Sequence, residues 1–283
     1  MSTGLVLEGG SMRGLYTAGI IDVFMDEGIK IDGIVGTSAG ALFGANYFSK
    51  QRGRVLRYNV RFCKNPRYMS LLSFLLTGNL VNCNFAFYDV TYKYDVFDNE
   101  TFKKHNTGFW AAVTNAESGM AEYIEITDVL EQLEVLRATS AIPFVSKFVE
   151  IDGKKYLDGG VADSIPLKKC IDEGYDKIIT VLTQPSGYRK KPMNDKIMNI
   201  VERKYREYPQ LVEAIKRRYI NYNESTDELY ELEKAGRAFV FRPSEKLNVG
   251  HIERSAKKLH MAYEKGRADA LDRLEELKEY LEK

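Results

Sequence analysis

Three short glycine-rich strings in this chain hold residues that could carry out nucleophilic chemistry. The first is Gly36-Thr37-Ser38-Ala39-Gly40. A serine in the pattern G-x-S-x-G, between an apolar strand and a helix, stands exposed on a tight turn. The helix N-terminus favours negative charge developing beside it. The second string is Gly9-Gly10-Ser11-Met12-Arg13-Gly14, after an earlier apolar run. Consecutive small residues can aim backbone N–H groups at one point, as an oxyanion requires, and Arg13 adds positive charge nearby. The third is Asp158-Gly159-Gly160, an aspartate at the end of a strand, which alone reads equally well as a plain turn. A serine, an acid and a set of aimed donors are the parts of acyl transfer.

Other chemistries fit these residues less well. Histidine is scarce: only His105, His251 and His260 are present. His105 lies in a polar stretch and the other two in charged C-terminal helices, so each reads as a surface or cap residue rather than the base of a Ser–His–Asp triad. The α/β-hydrolase order also fails, because Ser38 follows only the second expected strand. GGSMRG invites a dinucleotide reading, yet Ser11 breaks the G-x-G-x-x-G spacing and Asp32 stands at the start of the second strand rather than at its end. That reading predicts nucleotide-dependent thermal stabilisation and no role for Ser38. No Gly-Lys-Ser/Thr follows, so the string is not a Walker A loop. Cys63, Cys83 and Cys170 are scattered, with no CxxC, which speaks against a disulfide framework or a zinc site and for a reducing compartment.

The elements that must position these strings follow from the apolar spacing. Gly4–Glu8 and Ile31–Val35 read as buried strands, each followed by a glycine turn and a helix (Leu15–Glu27 and Ala41–Phe48), the repeating unit of a parallel α/β sheet. Arg52–Phe62 is a basic helix and Phe85–Tyr94 an aromatic-rich stretch. Thr107–Asn115 and Met120–Thr127 are strands, and Asp128–Arg137 a helix capped by Thr127 or Asp128. Lys147–Ile151 and Lys154–Leu157 flank the hairpin turn Asp152-Gly153. Pro166–Glu173 is a helix and Lys177–Leu182 a strand. A boundary falls near 184–192. Beyond it the chain is mostly helical, with one more strand at Phe239–Phe241 and two helices in Ile252–Leu281 that break near Gly266.

Composition bounds the partners. Across 283 residues, 41 Lys and Arg balance 40 Asp and Glu, so the chain lacks the basic excess of a nucleic-acid binder. The N-terminus has no basic, apolar leader pattern, and no run of about 18 apolar residues occurs, so we expect a cytoplasmic protein. Two stretches leave room for peripheral membrane contact. Met69–Leu76 (MSLLSFLL) reads either as a buried core helix or as a segment that lines an acyl pocket or touches a membrane. From Tyr188 to Arg218, ten Lys or Arg stand against four Asp or Glu, which reads as a solvated helix face or as an attractor of anionic head groups.

In their order, the three strings resemble the patatin-like phospholipases over roughly Leu5 to Leu182. The stretch Ala138–Phe144 (ATSAIPF) is similar to one that family places before its aspartate, and Phe239 to about Gly266 is similar to the helical extension of a bacterial subgroup. The resemblance implies a three-layer α/β/α sandwich of the patatin-like type. Residues 1–185 would be the catalytic domain and 186–283 a mostly helical C-terminal extension. It implies a serine acyl hydrolase that cleaves carboxylic esters of lipids (phospholipid, lysophospholipid or neutral acyl lipid) through a Ser–Asp dyad and an acyl-enzyme. Ser38 matches the nucleophile and Asp158 its partner. Gly9, Gly10, Ser11, Arg13 and Gly14 match the oxyanion loop, Gly36 and Gly40 the elbow, Gly159 and Gly160 the aspartate motif. Such a mechanism needs no metal or cofactor, and no calcium-loop pattern occurs.

Two physical difficulties accompany this reading. An aspartate with a pKa near 3.9 is a weak base at neutral pH, a gap of about 3 units or roughly 4 kcal/mol, part of which burial would recover. The family usually carries glycine where this chain has Ser11. A non-glycine residue held at positive φ costs about 1–2 kcal/mol, and a misaimed oxyanion donor about 10²–10³ in rate. Ser11 is therefore the feature that favours the rival reading, a catalytically weak lipid-binding or regulatory protein that keeps the fold.

Overall fold

Apolar alternation along the strands sets the layers. In the computed structural model, which describes residues 1–283, Leu5, Leu7, Ile34, Ile179 and Val181 pack into one cluster and Val6, Val35, Ile178 and Val240 into another, on opposite faces of one sheet. The strands are β1 (Thr3–Leu7), β2 (Gly33–Thr37), β3 (Gly108–Asn115), β4 (Ala121–Glu125), β5 (Val149–Ile151), β6 (Lys154–Asp158), β7 (Lys177–Val181) and β8 (Ala238–Phe241). Their order is β5-β6-β3-β2-β1-β7-β8, with β4 also paired to β3. The core strands β3, β2, β1, β7 and β8 run parallel; β4 and β6 lie antiparallel to β3, and β5 antiparallel to β6.

The helices are α1 (Leu15–Asp26), α2 (Ala39–Phe48), α3 (Arg54–Phe62), α4 (Leu71–Thr77), α5 (Asn99–Lys103), α6 (Leu133–Thr139), α7 (Leu167–Asp172), α8 (Asp195–Lys204), α9 (Pro209–Lys234), α10 (Ala256–Asp272) and α11 (Leu274–Glu282). Tyr16, Ile20 and Phe24 of α1, Ala41 and Ala45 of α2, and Ala270 of α10 cover the first sheet face. Leu167 and Cys170 of α7, with Tyr222 and Leu229 of α9, cover the second. This is a three-layer α/β/α sandwich with a helical C-terminal region.

Residues 186–283 are interwoven with the rest. β8 extends the sheet beside β7, pairing Ile178 with Ala238 through Val181 with Phe241. α10 lies so close on α1 that a Cβ on Gly266 would come within 2.0 Å of the Tyr16 carbonyl oxygen, and one on Gly19 within 2.1 Å of that of Tyr263. Gly266 is thus a helix-packing residue and not the expected break. The break falls at Arg273, whose guanidinium donates to the Val240 carbonyl at 2.7 Å and lies 4.3 Å from the Phe239 ring centre.

One other expectation changes, and two stretches that the sequence leaves open take a definite form. The helix expected over Asp128–Arg137 begins only at Leu133; Asp128 instead accepts from the Glu131 N–H (3.0 Å) and the Asn99 amide (2.8 Å), and Gln132 Oε1 accepts from the backbone of Thr127 and Asp128. The aromatic stretch is a π-helix over Asn84–Tyr94. MSLLSFLL forms α4, and its leucines are not core: Leu71, Leu72, Leu75 and Leu76 are 75%, 57%, 79% and 76% exposed. No helix is long and apolar enough to cross a membrane.

Candidate active site

β3 acts as a ruler that brings the serine and the aspartate together. Thr37, the last residue of β2, pairs with Ala112, and Asp158, the last of β6, pairs with Val113. The residue after Thr37 therefore meets Asp158 one step along the same strand. Ser38 Oγ donates to Asp158 Oδ2 at 2.8 Å, and both side chains are buried. Ser38 has φ 54° and ψ −122°, a strained conformation for a residue with a side chain, costing about 1–3 kcal/mol. Its surroundings hold it there. The Ser38 N–H donates to Thr139 Oγ1 (2.9 Å), which donates in turn to the Ala112 carbonyl (2.5 Å). α2 crosses β1 so closely that a Cβ on Gly40 would sit 2.4 Å from the Leu7 carbonyl oxygen.

Asp158 spends its second oxygen on its own turn, where Oδ1 accepts from the Gly160 N–H at 2.7 Å. The Gly160 carbonyl accepts from Arg218 Nε (2.5 Å) and Ser164 Oγ (2.9 Å). Burial pushes the Asp158 carboxyl above its ordinary value; the Ser38 hydroxyl, the Gly160 N–H and the charges of Arg218 and Lys190 oppose this only in part.

The first glycine loop continues β1 toward Ser38. Glu8 anchors it. This buried carboxylate accepts from the Thr183 N–H (2.5 Å) and hydroxyl (3.1 Å) and from Tyr222 Oη (3.0 Å), tying the ends of β1 and β7 to α9. Burial raises its pKa as well. Gly9 N–H donates to the Ser164 carbonyl, and Arg13 N–H closes a 3₁₀ turn onto Gly10. The N–H groups of Gly10, Ser11 and Met12 between them have no acceptor in the protein. Ser11 adopts φ 49°, the left-handed conformation that glycine takes at low cost, so the serine keeps the backbone path. Gly14 packs under Phe43 and Ala39 at the start of α2.

Two cavities meet at Ser38. One, of about 440 Å³, is walled mainly by apolar side chains such as Met12, Phe43, Phe87, Val90, Leu133 and Leu136. The other, of about 320 Å³, is polar, and Ser38, Ser11, Ile142, Arg218 and His251 line both.

The histidines separate cleanly. His105 stacks on Phe48 with ring centres 4.3 Å apart, and His260 faces Glu264 on the exposed side of α10. His251 stands at the site, with Nδ1 3.4 Å from Ser11 Oγ, but bonds neither Ser38 nor Asp158. Asp32 accepts from the Thr3 N–H and pairs with Lys30, so it serves the fold. No group of three or more His, Cys, Asp or Glu side chains comes together. Sequence reasoning gave no individual role to Thr139, Glu8, Lys190, Arg218 and Tyr222. Thr139 lies in the ATSAIPF stretch and Lys190 and Arg218 in the basic run from Tyr188 to Arg218, but their places at the site follow only from the fold.

Residues 5–171 match the family model described as patatin-like phospholipase, and the chain belongs to that family. Residues 208–282 match a second family model, a domain of unknown function (DUF6363). The chain is 30% identical over 186 residues to the uncharacterized protein YjjU of Escherichia coli K12, a match covering 64% of this chain and 52% of that one. It is 26% identical over 196 residues to lysophospholipase NTE1 of Saccharomyces cerevisiae, covering 63% of this chain and 10% of the relative. It thus spans about half of the first relative and a tenth of the second. Among solved structures, VipD of Legionella pneumophila superposes with a TM-score of 0.47 at 12% identity, covering 97% of this chain and 67% of that one.

Proposed function

We propose that the protein is a serine acyl hydrolase that cleaves carboxylic esters of lipids through Ser38 and Asp158. The observation that carries this reading is the 2.8 Å hydrogen bond from Ser38 Oγ to Asp158 Oδ2 at the junction of an apolar and a polar cavity. Ser38 Oγ attacks the ester carbonyl carbon as its proton passes to Asp158. The N–H groups of Gly10, Ser11 and Met12, with the N-terminus of α2, stabilise the oxyanion. The tetrahedral intermediate collapses, the alkoxide leaves with the proton from Asp158, and the acyl group remains on Ser38. Water then attacks the acyl-enzyme, giving its proton to Asp158, and the fatty acid is released as that proton returns to Ser38.

Hydrolysis of a short aryl ester and of a lysophospholipid by purified protein tests the reading. Turnover of both supports it, and a folded protein that turns over neither overturns it. The pH profile adds a sharper readout. Asp158 acts as a base only when ionised, and burial raises its pKa, so kcat/KM for a neutral ester is expected to fall on acidification through one ionisation above the ordinary aspartate range. An acid limb at or below about 3.9 would contradict the role of a buried aspartate.

We also propose that α4 seats the protein on a lipid surface. Its four exposed leucines project beside Tyr68, Met69, Leu80 and Val81, which wall the apolar cavity, so a lipid drawn from the surface would have a short path to Ser38. Exposed Lys147, whose side chain lies against Gly78 at the end of the helix, suits an anionic surface. Burying a leucine is worth about 1.5–3 kcal/mol. Leu71→Glu with Leu75→Glu is therefore expected to lower binding to phosphatidylglycerol–phosphatidylcholine vesicles at least about tenfold at an unchanged unfolding temperature. Undiminished vesicle binding would contradict this.

A further inference from the structure

Two residues that the dyad chemistry leaves unused touch each other beside Ser38. Ser11 holds the left-handed conformation at φ 49°, which glycine adopts at low cost, so a side chain here carries strain. That side chain meets the one histidine of the site, with Ser11 Oγ 3.4 Å from His251 Nδ1. The loop that carries His251 is pinned on both sides. Leu247 is buried in the core cluster of α1, and Val249 packs against the cluster that holds Met12, Ala39 and Phe43. Ser255 Oγ caps α10 at the Lys258 N–H, and α10 is locked on α1 through Gly19 and Gly266. Residues 208–282 thus deliver an imidazole to a site whose nucleophile lies in residues 5–171.

The hydrogen-bond inventory sets the tautomer. The protein offers the Ser11 hydroxyl no acceptor other than His251 Nδ1, so Ser11 donates to Nδ1 and the ring proton sits on Nε2, which has no partner in the protein. Burial and the charges of Arg13, Arg218 and Lys190 hold the ring's pKa below its ordinary value, so at neutral pH the imidazole is uncharged and Nε2–H is its single donor. Only Ser11, Ser38, Ile142, Arg218 and His251 line both cavities, so these five ring the point where a bound ester must lie. With the acyl arm in the apolar cavity and the carbonyl oxygen on the loop N–H groups, the alcohol oxygen faces the polar cavity. Ser38 is the nucleophile, the Ser11 hydroxyl is committed to His251, Ile142 is apolar, and Arg218 Nε is turned to the Gly160 carbonyl.

We propose that His251 donates a hydrogen bond from Nε2 to the alcohol oxygen of the ester as the tetrahedral intermediate collapses, with Ser11 orienting the ring. The inference rests on the hydrolase reading above and adds a leaving-group donor to it. His251 keeps its own proton throughout, and the proton taken up by the departing alkoxide still comes from Asp158. A 3.4 Å separation is long for a hydrogen bond, and catalytic contacts of this kind commonly tighten when substrate fills the site. The C-terminal region then has a task in the reaction, which is to carry the donor for the alcohol.

Leaving-group dependence tests this, because a merely structural role would slow all esters alike. The substrates are 1-octanoylglycerol, whose alkoxide leaves poorly, and 4-nitrophenyl octanoate, whose aryloxide leaves with its charge already delocalised. The acyl group is the same in both, and kcat/KM measures the barrier from free enzyme and ester. His251→Ala is expected to lower the ratio of kcat/KM for the glycerol ester to that for the aryl ester about ten- to a hundredfold, the range of a hydrogen bond to a charged group. His251→Gln, whose amide can place an N–H near the position of Nε2, should restore part of the ratio. Ser11→Ala keeps the strained backbone and removes only the hydroxyl. It should shift the ratio the same way by a smaller factor, and it carries the test if His251→Ala does not fold. An unchanged ratio in a folded His251→Ala protein, whether both esters slow equally or neither slows, would overturn the proposal. Failure of the hydrolase reading looks different: the wild-type protein turns over neither ester.

Discussion

Ser38→Ala is expected to lower kcat/KM for an acyl ester by at least about 10⁴-fold, and Asp158→Asn by about the same factor, while the double variant loses little more. Nucleophile and base act as one unit, so removing either removes the same step. Both variants should stay folded. Alanine at 38 deletes one hydroxyl and leaves the backbone bonds of Thr139 and Leu42 to residue 38 in place. Asparagine at 158 still accepts from the Gly160 N–H through Oδ1. It cannot take the serine proton, however, and its amide is a donor facing the Ser38 hydroxyl. Steady-state kinetics on one soluble ester, with circular dichroism on each variant, measures this. Additive losses, with the double variant slower than either single one by another several powers of ten, would mean that the two residues act in separate steps.

Gly19→Ala and Gly266→Ala are each expected to destabilise the protein by about 1–3 kcal/mol, a drop of several degrees in unfolding temperature. On an ordinary helix the same exchange stabilises by up to about 1 kcal/mol, so the sign itself is diagnostic. The new methyl groups would sit 2.1 Å and 2.0 Å from carbonyl oxygens of the opposite helix, and backbone cannot swing aside as a flexible side chain can. The α1–α10 contact would have to open. α1 follows the Gly9–Gly14 loop directly, so loosening it should also slow the reaction. Thermal unfolding followed by circular dichroism decides the matter. A rise in unfolding temperature for either variant would show that α10 docks less tightly than this account requires.

What could be read from the sequence was local. An apolar run, a glycine turn and a helix are neighbours in the chain, so β1, β2 and the helices after them are legible within a residue or two. The same holds for the Asp152-Gly153 hairpin and for β8. Register is not local. Nothing in the sequence near Ser38 or Asp158 states that β3 lies alongside both, nor that Thr139 would brace the elbow through the Ala112 carbonyl. The polar chamber is built the same way: Lys190, Arg218 and Tyr222 arrive from the segment after β7, in a stretch whose basic excess reads equally as a solvated face. Gly266 misled because a glycine inside a helical pattern suggests a stop, whereas here it is the residue that lets two helices touch. α4 stays open in the sequence for a different reason. Its composition is that of a core helix, and only the surrounding packing leaves four leucines in solvent.

The central claim is that Ser38 is an activated nucleophile. The most direct measurement is covalent labelling with a fluorophosphonate, with the adduct located by peptide mass mapping in the wild-type, Ser38→Ala and Asp158→Asn proteins. This account predicts one adduct per wild-type chain, on Ser38, none in Ser38→Ala, and slow labelling in Asp158→Asn. A folded wild-type protein that takes up no label, or one labelled at a residue other than Ser38, would contradict it.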